Sequence, residues 1–71
     1  MFEEYQVVRL KGNLPKHNMA PGTKGTIVFV YEDKPDMPKA YEVEFVDNQG
    51  KTLAQLTVFE NELEEDTEVR K

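Results

Sequence analysis

Hydrophobic and polar residues alternate most cleanly over Ala40-Tyr-Glu-Val-Glu-Phe-Val46. This is the period of a half-buried strand, with Tyr41, Val43 and Phe45 on the core face and Glu42 and Glu44 facing water. A second stretch, Pro21-Gly-Thr-Lys-Gly-Thr-Ile-Val-Phe-Val-Tyr31, alternates hardly at all. Its β-branched and aromatic run predicts a strand over Thr26–Tyr31 that is central, or covered on both sides. Gly22 and Gly25 precede or open that strand, where a positive φ or a close backbone approach is needed.

The other elements are placed by their relation to these two. Tyr5–Leu10 reads as a first strand, with Val8 and Leu10 on one face and Tyr5, Val7 and Arg9 on the other. Tyr5 and Val7 imply that this second face is partly covered as well, and Phe2 is expected to pack beneath the sheet. Lys11–Lys24 is a long connection rich in turn residues, expected to be self-packed or functional. Leu14-Pro15 would anchor it, with Met19 and Ala20 as a second anchor. Glu32–Lys39 is a polar loop interrupted by Pro35 and Pro38. Asp47-Asn-Gln-Gly50 predicts a hairpin turn with Gly50 left-handed. Thr52–Val58 is then the return strand, although Leu53, Leu56 and Leu63 could also share a helical face. Phe59–Glu62 reads as one helical turn, Leu63 opens a short last strand, and fraying is expected from Glu65 onward. The resulting organisation is all-β, with one domain over 1–65 and an acidic tail over 66–71.

Composition limits what such a domain can do. Seventy-one residues support one small core, and the absence of cysteine excludes a disulfide framework or a thiolate metal site. No apolar run approaches the ~20 residues of a membrane span, and the N-terminal residues lack a signal-like pattern. A soluble, cytoplasmic protein with no membrane contact is therefore expected. Residues 1–40 carry six Lys/Arg and five Asp/Glu, whereas residues 41–71 carry three and nine. An acidic half of that kind repels phosphate backbones and attracts a basic protein. Solvation of a frayed terminus is the plainer explanation of the same charges.

The segments Val7–Leu10, Leu14-Pro15, Gly22-Thr-Lys-Gly-Thr-Ile-Val28, Tyr41–Phe45 and Leu63 together carry a resemblance. They resemble a family of small uncharacterised bacterial, often cyanobacterial, proteins made of little more than one SH3-like barrel. The resemblance implies a five-stranded barrel with one short helical turn before the last strand. Because members look like products of small paired genes, it also implies an antitoxin- or immunity-like partner for a toxin-like protein. A broader resemblance is to KOW-like barrels of ribosomal and transcription proteins, which usually carry basic loops that this chain lacks. A weaker one is to SH3-like subunits that dock partners in photosynthetic electron transfer.

Catalytic chemistry finds little to work with. The chain contains no Cys or Ser, and His17 is its single histidine, so a Ser-His-Asp triad or a His-pair metal site cannot be assembled. His17 is either an exposed loop residue or a pH-sensitive contact. Glu42 and Glu44 form a carboxylate pair that solvation of an outer face explains without acid–base work. Glu60, Glu62, Glu64, Glu65 and Asp66 lack the spacing and central glycine of a calcium loop. No phosphate-cradling glycine motif is present. Phe29 and Tyr31 alternate with Val28 and Val30. If one pair faces the core, the other lines a surface near the first loop and the Pro35–Pro38 loop, as in domains that dock proline-rich peptides; the plainer explanation is that the aromatics fill and cap a small barrel.

The expected function is accordingly a non-enzymatic module without cofactor or metal that binds one protein partner, of basic character to suit the acidic half. Its contact residues would be Leu14, Pro15, His17, Tyr31, Pro35, Pro38, Glu42, Glu44, Glu60 and Glu62. The alternatives are a KOW-like nucleic-acid role through Arg9, Lys11, Lys16 and Lys24, or a structural subunit whose sheet edge pairs with another copy.

Overall fold

The computed structural model describes residues 1–12 and 18–66. Five strands run in chain order: β1 (Val7–Leu10), β2 (Lys24–Val30), β3 (Ala40–Val46), β4 (Thr52–Phe59) and β5 (Leu63–Glu65). A single 3-10 turn, Glu60–Glu62, stands directly before β5. All neighbours are antiparallel, in the order β4-β3-β2-β1-β5. The chain is therefore all-β, as its alternation predicts, and the strand reading of 52–58 prevails over the helical one. Among the described residues, no helix is long and apolar enough to cross a membrane.

The sheet rolls up into a barrel-like form. Val58 of β4 and Leu63 of β5 lie on its opposite edges, yet both belong to one buried cluster with Val8, Leu10, Met19, Ile27, Tyr41, Val43 and Phe45. A flat sheet could not bring its two outer strands to a common core. The 3-10 turn links them, and Lys11 N–H donates to the Glu62 carbonyl at 2.8 Å to hold the junction. Phe2 packs edge-on against Tyr41 at a centroid distance of 5.6 Å, as expected of a residue beneath the sheet.

The two glycines divide the tasks foreseen for them. Gly22 takes a positive φ of 87°, the left-handed turn that leads the chain toward β2. Gly25 has an ordinary φ and instead permits close approach. A Cβ there would lie 2.6 Å from Val43 Cγ1, 2.9 Å from Phe45 Cδ1 and 3.1 Å from the Glu44 carbonyl oxygen. At the other end of β3, Gly50 (φ 82°) closes the hairpin as predicted. Asp47 Oδ1 accepts the Gln49 and Lys51 N–H groups there, each at 2.9 Å.

One expectation resolves between its alternatives and three others need correction. Strand β2 is central, as the first of its two alternatives had it, and is not covered on both sides. Ile27 pairs with Val43 and Phe29 pairs with Glu42, so Val28 is an extra residue that bulges the strand. The bulge reverses the facing of the residues after it: Val30 packs on the core and Phe29 is 51% exposed. The outer face of β1 is likewise open. Tyr5 is exposed, with a positive φ of 69° that places it in the turn before the strand, and Val7 is exposed too. In the first loop, Met19 is buried as an anchor but its neighbour Ala20 is exposed; Leu14 and Pro15 lie outside the described residues. Finally, Glu65 pairs with Val8, and Asp66 accepts from Arg9 Nε at 3.1 Å with Lys24 Nζ at 3.7 Å. Ordered structure thus continues past the point where fraying was expected.

Two substitutions probe this architecture. Gly25→Val should abolish the cooperative thermal transition followed by circular dichroism, and Gly25→Ala should destabilise the domain by about 1–3 kcal/mol through overpacking. A folded, undiminished Gly25→Val protein would contradict the close-approach reading. Tyr41→Phe tests the buried hydroxyl, which accepts from Phe2 N–H at 3.0 Å and donates to Glu60 Oε1 at 2.8 Å. Removing it takes the acceptor from Phe2 N–H and one donor from the water-accessible Glu60, and should cost about 1 kcal/mol in denaturant melts. Burial raises the Tyr41 pKa, with the hydrogen bond and charge of Glu60 adding to the effect. The wild-type advantage is therefore full below the ordinary tyrosine pKa of 10.0 and lost as pH rises through the raised value.

Candidate functional site

The outer face of β3 and β4 is built by cross-strand register. Glu42 lies opposite Thr57 and Glu44 opposite Gln55. The Glu42 carboxylate accepts from Thr57 Oγ1 at 2.7 Å, from Tyr31 Oη at 3.1 Å and from Gln55 Nε2 at 3.3 Å. Glu44 accepts from Thr52 Oγ1 at 2.6 Å. The three donors to Glu42 favour its ionised form and hold it below the usual carboxylate range, with the Thr57 hydrogen bond contributing most. Glu42 is therefore a fixed negative charge in a half-buried setting, held by three side chains from outside its own strand.

An aromatic pair stands beside it. The bulge at Val28 turns Phe29 outward, and its ring meets Tyr31 edge-on at 4.9 Å between centroids, with planes at 74°. Such a pair contributes about 0.5–1.5 kcal/mol beyond its buried area. Tyr31 thus links the charged carboxylate to an exposed apolar surface.

Next to Tyr31 opens a groove of about 370 Å³. Met37, Pro38, Ala40, Thr57 and Phe59 line it together with Glu32 and Lys34. The wall is shaped by the turn Lys34–Met37, in which Met37 N–H donates to the Lys34 carbonyl at 3.3 Å. Lys39 is drawn away by Asp33 at 2.9 Å. Met37 is 54% exposed, an apolar side chain presented at the mouth.

The residues singled out from the sequence separate into three groups. Tyr31, Pro38 and Glu42 come together around the groove, and Glu44 continues the same face. Pro35 sits in the turn that carries Met37, outside the groove wall itself. Glu60 and Glu62 have internal partners: Glu60 receives the Tyr41 hydroxyl, and Glu62 Oε1 accepts Phe59 N–H at 2.8 Å and caps the 3-10 turn. Leu14, Pro15 and His17 lie outside the described residues. Sequence reasoning missed Met37, Thr57 and Phe59. Alternation over β4 places Thr57 with Gln55, and register with β3 then brings it to Glu42, but that register depends on where the hairpin turns.

The chain belongs to a family described as a domain of unknown function, DUF4926, whose match spans residues 4–65. No curated protein matches it, and no solved structure does.

Glu42→Gln should leave the fold intact and flatten the acid limb of the stability curve. Because the folded pKa is depressed, the charged Glu42 stabilises above the ordinary carboxylate pKa of 4.5, and that contribution disappears as pH falls through the lowered value. Chemical denaturation at a series of pH values from neutral downward measures the difference. Parallel curves for the two proteins would show that the hydrogen-bonded carboxylate contributes nothing.

Proposed function

We propose that this chain is a non-enzymatic protein-binding module that seats a cationic segment of one partner protein across the Tyr31 groove. The observation that carries this reading is the exposed Phe29–Tyr31 pair, joined through the Tyr31 hydroxyl to a fixed carboxylate at Glu42. The aromatic rings and Met37 offer apolar contact, and Glu42 with Glu32 supplies the counter-charge for a lysine or arginine. Apolar anchors beside a carboxylate held in place by hydrogen bonds suit an interface hot spot. The acidic half of the chain steers such a partner into place, with association slowing as salt rises. The barrel is read as SH3-like, since the strand order and the turn before β5 agree with that resemblance. The gene-pair resemblance gives the partner a class: a toxin-like protein that this chain neutralises.

The nucleic-acid reading has less support. Of the basic strip foreseen for it, Arg9 and Lys24 both converge on Asp66. Arg9 Nη1 also donates to the Gly22 carbonyl at 2.9 Å, which fixes it in the fold.

Tagged protein expressed in its native host should recover one stoichiometric partner under low-salt washing, identified by mass spectrometry. Tyr31→Ala and Met37→Lys, both folded by circular dichroism, should each lose it by about tenfold or more in affinity. Absence of any stoichiometric partner, or full retention by both variants, would overturn the groove as the docking site.

A further inference from the structure

The two edges of the sheet are protected very differently. Strand β5 is three residues long, and two of them, Glu64 and Glu65, are exposed acids. Short, charged edges resist pairing with other chains. Strand β4 is eight residues long, Thr-Leu-Ala-Gln-Leu-Thr-Val-Phe, and carries neither charge nor proline. In the sheet order of the described residues it has a neighbour on its β3 side alone. Its inner face is also incompletely covered: Ala54 and Leu56 pack against the core but remain half-buried. What protects it is an irregularity at Leu53, where the register shifts between Phe45 and Val46, and that side chain is 52% exposed.

We infer that β4 is a self-association edge, on which a second copy of this chain adds its own β4 antiparallel to form one continuous sheet across a two-fold axis. Charge placement selects this occupant and direction. Lys51 precedes the strand, whereas Glu60 and Glu62 come after it; their internal hydrogen bonds leave their negative charge in place at that end. Antiparallel apposition of two identical strands brings the cationic end of each against the acidic end of the other. Parallel apposition would set like charges together. The side chains agree with the symmetry. In a continuous sheet, residues on the same face must oppose one another, so the axis passes through a residue, and those nearest the middle of the strand are Gln55 and Leu56. With the axis at Leu56, Leu56 meets its symmetry mate and Ala54 meets Val58 on the inner face, while Gln55 meets Thr57 on the outer. With the axis at Gln55, Ala54 meets Leu56. Either arrangement covers the apolar positions that the monomer leaves half-exposed. The contact is isologous, so assembly stops at two copies; a β4-to-β5 contact would instead continue head to tail.

Sedimentation equilibrium of the full chain from about 1 µM to about 1 mM spans the affinities of a small, transient interface. The mass should rise from monomer to dimer and no further. Amide exchange measured over the same series should show protection growing along 52–59 and unchanged in β5. Leu53→Lys and Gln55→Lys place a charge on the edge and should each raise the dimer dissociation constant about tenfold or more while circular dichroism stays unchanged. Lys51→Glu should weaken the dimer and remove its salt dependence. A strict monomer across the series, species larger than a dimer, concentration-dependent protection in β5, or a dimer indifferent to all three substitutions would each overturn the inference.

Discussion

No methyl group fits where β2 passes Val43 and Phe45, and the remainder of the domain depends on that tightness. The missing side chain at Gly25 lets β3 fold closely over β2 and keeps Val43 and Phe45 buried. Tyr41, Val43 and Phe45 then lie along one face, and their cross-strand mates Val58, Leu56 and Ala54 are set by register. In a chain this small the core is limited and the fold correspondingly marginal. Little remains to compensate if the central strands move apart. The same register fixes the outer face, because side chains on a strand alternate strictly. Placing Tyr41 and Val43 inside obliges Glu42 to stand outside, directly opposite Thr57.

Much of this architecture was legible in the sequence, and the reason is physical. Period-2 alternation over 40–46 sets the facing of β3 without ambiguity. Asp47 and Gly50 mark the hairpin because one supplies an acceptor for turn amides and the other tolerates a positive φ. The run 26–31 misled for an equally physical reason. A segment in which nearly every residue is apolar carries no parity information, so nothing in it reveals that Val28 is inserted. The bulge is settled by the partner strand: Glu42 cannot enter the core, and the residue opposite it must face outward too. Phe29 is exposed as a consequence of its neighbour's charge.

The site was legible in its members and illegible in their relations. Tyr31, Pro38 and Glu42 were identifiable as residue types suited to docking. Their convergence required both the bulge and the register of β3 with β4. Glu42 read as an ordinary solvated acid because alternation reports facing alone, and says nothing about the hydroxyls across the strand. Glu60 and Glu62 read as surface charge for a related reason. Their roles come from Tyr41 and from the Phe59 amide, groups that a linear pattern cannot place beside them.

The pairing of β1 with β5 has a consequence for how the domain assembles. Strands β2, β3 and β4 succeed one another along the chain, and each pairs with the next after a short connection. Strand β1 meets β5 from the far end of the sequence, with Val8 opposite Glu65 and Arg9 reaching Asp66. Closing so long a loop costs chain entropy before any contact repays it. The central meander can therefore form first, as a curved three-stranded sheet with part of its core open. Leu63 completes that core only when the two ends of the fold meet. The Arg9–Asp66 pair lies at that seam, so the contact that joins the two ends of the barrel-like form is also among the most distant along the chain.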